Sequence, residues 1–149
     1  MMNPIEYVSA EVQGQKTEKM SPIAVVEYLR KASLNAVDGS KEMKRSEGIS
    51  EESKALLSDI EAMGYLGYYY ADKIEAAVSL AYYRQTADEK YKTMAVAQLE
   101  SALRYWIHYA EISEQQYKPQ MLARTNILDW QALINEAKED INIAKNYQL

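Results

Sequence analysis

"SEESKALLSDIEAMGYLGYYYADKIEAAVSLAYYR", residues 50 to 84, runs without a proline, and its apolar side chains return every three or four positions. That period belongs to an α-helix; a half-buried strand would alternate. Ser50 stands where a helix N-cap is wanted, so the stretch predicts one long helix from Ser50 to about Arg84. Stepping about 100° per residue gathers Leu56, Ile60, Met63, Gly67, Tyr70, Ile74, Val78 and Ala81 on one side as a core seam. Glycine in mid-helix costs about 1 kcal/mol against alanine, so Gly67 points to a neighbouring helix or a large ring lying close. Tyr65, Tyr69, Ala76, Leu80 and Tyr83 fall on the opposite side and form a second apolar and aromatic stripe. The helix therefore reads as buried on two faces.

The chain has 13 tyrosines and no phenylalanine. A tyrosine ring can lie on apolar surface while its hydroxyl reaches water or a polar partner, which suits the half-buried positions of a thin helical bundle. Three readings compete for the outer stripe, whose interface candidates are Tyr65, Tyr69, Leu80 and Tyr83. Other helices of the same chain or of a parent protein can cover it. It can meet a neighbouring domain, a protein partner or a second copy, since tyrosine is enriched at interfaces. It can stack on a flat ligand such as a sugar; helix surfaces do this less readily than concave pockets, so carbohydrate binding by this chain itself ranks last.

Working outward, helical periodicity continues through most of the chain, and no sustained strand pattern appears. Asn3 and Pro4 form an N-cap and first-turn pair for a short helix that Gly14 would stop. Ser21 and Pro22 repeat the signal. They open a helix ending at Asp38 and Gly39, with Val25, Val26, Leu29, Ala32 and Ala36 as its buried stripe, followed by a loop from Ser40 to Gly48. Thr86 and Glu89 have capping-box spacing and open a third long helix that ends near Pro119. Its apolar arc, Tyr91, Ala95, Leu99, Ala102, Trp106, Tyr109 and Ala110, is wide enough for two neighbours. A loop, "KPQMLARTNI", leads to Asp129, which caps a last helix carrying Trp130, Leu133, Ile134, Ala137, Ile141 and Ala144 on one face. Two long helices joined by a short turn lie antiparallel. The expected fold is an all-α helical bundle built on a long antiparallel αα-hairpin with flanking helices, forming one helical domain over residues 1–149.

A net charge of −5 and a pI near 5.0 argue against nucleic acid as a partner, because phosphate affinity needs clustered Lys and Arg. "KEMKR", Lys41 to Arg45, sits among acids and reads as a solvated loop. No apolar run approaches the roughly 20 residues of a membrane span, and the N-terminus lacks the basic and apolar regions of a secretory signal. Without cysteine there is no disulfide, thiolate metal site or cysteine nucleophile.

His108 is the sole histidine. It falls on a polar helix side with Glu100, Arg104 and Glu111, which suits a solvated ring and defeats both a paired Glu-x-x-His di-iron scheme and a Ser-His-Asp triad. "GYLG" lacks the lysine and hydroxyl of a phosphate loop. Paired acids such as Glu51 and Glu52, or Asp59 and Glu61, have nothing local to raise a pKa. No catalytic residue, metal ligand or cofactor is expected. Met63, Leu66, Gly67 and Tyr70 match the opening spacing of a tetratricopeptide repeat, but no second copy follows at that period; αα-hairpin packing accounts for it, with a stand-alone interaction module as the alternative.

The stretch from Ser58 through Glu111, with "LDWQALINEAKEDINIAKN" and the N-terminal "IEYVSAEVQGQKTEKMSPIAVVEYLRKAS", resembles a helical C-terminal region of large secreted polysaccharide-processing proteins of gut-type Bacteroidetes, of α-glucuronidase-like and glycoside-hydrolase-like kind. The resemblance implies a non-catalytic accessory or scaffolding module packed against catalytic and carbohydrate-binding domains, with the catalytic carboxylates elsewhere in the parent. It implies a fragment or homologue of such a chain in the periplasm or at the cell surface, with the tyrosine stripe facing a neighbouring domain. A stand-alone protein would be cytoplasmic.

Overall fold

The computed structural model describes residues 1–122 and 126–149. Among these residues five helices follow in order: α1 (Pro4–Val12), α2 (Pro22–Lys44), α3 (Glu51–Thr86), α4 (Glu89–Gln116) and α5 (Ala132–Lys145). The chain is all-α, as its periodicity predicts, apart from a small antiparallel hairpin. That hairpin, β1 (Gln120–Leu122) and β2 (Asn126–Leu128), pairs Met121 with Ile127. It occupies much of the stretch read as a loop; residues 123–125 of that loop lie outside the described residues.

Three helix starts are set by the predicted residues. The side chains of Asn3, Ser21 and Ser50 accept from the backbone N–H of Glu6, Ala24 and Ser53, which satisfies a donor the first helical turn leaves free. Asp129 does the same ahead of α5, its carboxylate accepting from the N–H of Gln131 and Ala132 at 3.0 and 3.1 Å.

Two boundaries differ from expectation. α2 runs on through Asp38 and Gly39 to Lys44, so "KEMKR" is mostly helix. Tertiary pairing outweighs the glycine there: Lys44 Nζ sits 2.8 Å from Glu61 on α3, and Lys41 Nζ donates to the Tyr65 hydroxyl at 2.8 Å. Between α3 and α4 the cap is Asp88, not Thr86, because Ala87 takes a left-handed φ of 57° and closes α3 by donating to the Tyr83 carbonyl.

α3 is the centre of the molecule. α2 packs antiparallel along one side and α4 antiparallel along another, and α5 lies against α4. α5 closes the main apolar cluster, with Ile141 and Ala144 on Ala76, Ala95 and Leu99. α1 closes a second, with Val8 on Val78 and Ala81. The helix is covered twice, but not on the predicted seam. Leu56, Ile60, Met63 and Tyr70 are 61%, 40%, 61% and 50% exposed, and only Val78 and Ala81 of the predicted seam are buried.

The displacement has a simple form. On both helices of the α2–α3 pair most of the buried line runs one residue later than expected: on α2 the predicted Val26 is buried but Ser33 and Val37 replace Ala32 and Ala36, and on α3 Leu57, Gly64 and Ala71 replace Leu56, Met63 and Tyr70. Helix axes come closest where side chains are smallest. A Cβ on Gly64 would lie 2.7 Å from Val37 Cγ2, and one on Gly67 would collide with the Ser33 hydroxyl. The close helix inferred at Gly67 is therefore α2, and Gly64 fixes its path as strongly.

Candidate functional site

Rotating α2 and α3 by one residue leaves an apolar line on each helix side by side and at least partly exposed, the α2 line extending the predicted stripe to Gly39 and Met43. On α2 these are Val25, Leu29, Ala32, Ala36, Gly39 and Met43; on α3, Leu56, Ile60, Met63, Gly67, Tyr70 and Ile74. Each line advances by alternating steps of four and three, the a and d positions of a heptad. The e positions, Val26, Ser33 and Ser40 against Leu57, Gly64 and Ala71, are buried where the two helices meet. Between the open lines lies a groove of about 360 Å³, floored by Ala36, Gly64 and Gly67 and walled by Leu29, Ile60 and Met63.

The outer rim carries the g positions. Tyr28, Asn35 and Glu42 stand on α2, and Glu52, Asp59, Leu66 and Lys73 on α3, Lys73 being paired with Asp140 of α5. Asp59 accepts from Gln116 Nε2 and the Tyr117 hydroxyl, both at 2.8 Å, and the latter hydrogen bond raises the Tyr117 pKa. Glu42, Glu52 and Asp59 have no ion-pair partner among the described residues.

The four interface candidates lie elsewhere, and neighbours within the chain cover much of them. Tyr69 is 8% exposed, its ring 5.0 Å from that of Trp106; burial raises its pKa against the opposing effect of Lys73, whose Nζ donates to its hydroxyl at 3.2 Å. Tyr83 is 5% exposed, lies edge-on to Tyr147 and donates to Glu89 at 2.8 Å, a hydrogen bond that raises its pKa. Leu80 packs on the α3–α4–α5 cluster and lines a groove of about 560 Å³ beside Ile5 of α1 and Tyr147. Tyr65 is half-buried, its ring 5.0 Å from that of His108. His108 is exposed and 3.5 Å from Glu111, as its helical position predicts.

Three other acids of α3, Glu61, Asp72 and Glu75, are matched by cations. Arg30 bridges Asp72 and Glu75 at 2.6 Å each, and Lys44 and Lys41 hold Glu61. Among the described residues no His, Asp or Glu group is placed to hold a metal ion, and no helix is long and apolar enough to cross a membrane. Of the tetratricopeptide-like positions, Met63 lines the open groove and Tyr70 lies exposed beside Tyr69 and Lys73, so neither fills a hairpin core. Comparison with protein families, curated proteins and solved structures finds no match for this chain.

Sequence reasoning found the residues of the groove and misassigned their side. The available signal was on α3, which carries two parallel lines one residue apart, the large Leu56, Ile60, Met63 and Tyr70 beside the smaller Leu57, Gly64 and Ala71. Close helix packing selects the small line, leaving the large one for another contact.

Proposed function

We propose that this chain is a non-catalytic helical module that works by docking, its contact face the open α2–α3 groove. One observation carries this: a heptad-spaced apolar surface spanning two helices is exposed beside a completed core, and contiguous apolar surface of that kind marks interaction sites. The resemblance to accessory regions of Bacteroidetes polysaccharide-processing proteins supplies the setting. There the module would brace a neighbouring domain in the periplasm or at the cell surface and leave carbohydrate chemistry to that neighbour.

A dye experiment tests the docking face. The isolated chain should bind an apolar fluorescent dye, and Met63→Lys should remove most of that signal while shifting the thermal midpoint by no more than about 2 °C, since the side chain is already exposed. A large drop in midpoint would show the face to be internal and end the proposal. Release of sugar from glucuronoxylan by the isolated chain would overturn the non-catalytic part.

A further inference from the structure

Both walls of the groove repeat every 3.5 residues, a period that another helix follows by slotting its side chains between successive turns. With their e positions already packed together, α2 and α3 form two sides of a three-helix arrangement. At one end of the same face the third side is a helix of this chain, α1, whose Val8 is buried against Val78 and Ala81 with Ile23 alongside. From Tyr70 back to Leu56, about 21 Å at 1.5 Å per residue, the face is open. The α2 wall is lined by small residues, Ala32, Ala36 and Gly39, so an incoming backbone can approach closely, while Ile60 and Met63 supply larger surface on the α3 side.

We propose that this groove receives one amphipathic helix from a partner protein or domain, apolar at heptad spacing over about four turns and rich in Lys or Arg along its flanks. The flanks follow from the rim, where Glu42, Glu52 and Asp59 offer negative charge at the g positions that select coiled-coil partners. The same charges disfavour a second copy, which would bring these carboxylates near their own images. This rests on the docking reading above and adds the identity of the occupant.

The test uses the whole chain and three labelled 21-residue peptides: a leucine heptad with lysine flanks, the same heptad with glutamate flanks, and the lysine peptide with its heptad scrambled. Anisotropy should show the first binding at least about tenfold more tightly than either control, and weakening as salt rises. Met63→Lys should abolish that binding. Glu42→Lys with Glu52→Lys, both on exposed rim positions, should shift preference toward the glutamate-flanked peptide. Equal binding of the scrambled peptide would reduce the effect to net charge and overturn the proposal. So would a concentration-dependent dimer, seen by light scattering, that Met63→Lys dissolves. If the dye reports the face but no peptide prefers it, the occupant is wrong and the docking reading stands; if the dye response also fails, both fall.

Discussion

Gly64 and Gly39 sit in neighbouring helices and face opposite fates. A methyl group at Gly64 would press on the stiff side chain of Val37, whereas one at Gly39 would meet nothing within 4 Å. Gly64→Ala should therefore destabilise the protein by about 1–3 kcal/mol despite the gain in helix propensity. Gly39→Ala should stabilise it by about 0.5–1 kcal/mol; chemical denaturation of the two variants checks both signs. The tyrosines divide similarly between ring and hydroxyl. Lys73 also pairs with Asp140 at 2.7 Å, so Tyr69→Phe leaves no ammonium stranded and should cost under about 1 kcal/mol. Tyr69→Ala removes a buried ring from the Trp106 contact and should cost about 3–5 kcal/mol. What the hydroxyls add is reach from packed rings to charged groups: Lys41, Lys73, Glu89 and Asp59 each meet one.

At the scale of elements, starts were more legible than ends. Asn3, Ser21 and Ser50 announce helices because capping chemistry is local. The extension of α2 past Gly39 depends on Glu61 and Tyr65, which approach only once α3 has packed against it. Local signals at Asp38 and Gly39 had no means of showing that. Fold class followed from period alone, and α5 presents the predicted Ala137, Ile141 and Ala144 inward because it has a single apolar line. α2 and α3 each have two lines, and composition favours the more apolar one as core. The choice turns on how near two backbones can come, a property of the pair and not of either helix. The open groove was therefore visible as residues and invisible as a site.

For the molecule as a whole, the phenols set a pH limit. Burial raises the pKa of Tyr7, Tyr68, Tyr69 and Tyr82, and hydrogen bonds to carboxylates raise those of Tyr83 and Tyr117. A raised phenol favours the fold while it stays neutral, so that contribution is whole below the unfolded value of about 10 and is lost as pH climbs through the folded values. The thermal midpoint attributable to these groups should stay level up to about pH 9 and fall above about pH 10. Absorbance of tyrosinate near the ultraviolet edge should rise late, together with unfolding.

The order of elements along the chain also bears on how the molecule is born. α2 meets α3, α3 meets α4 and α4 meets α5, each partner being the next helix made; α1 packs on α3, one helix beyond its neighbour. Such nearest-neighbour wiring keeps the search short. Refolding should finish within milliseconds, with Val8→Ala quickening unfolding far more than it slows folding because α1 joins a hairpin that has already closed.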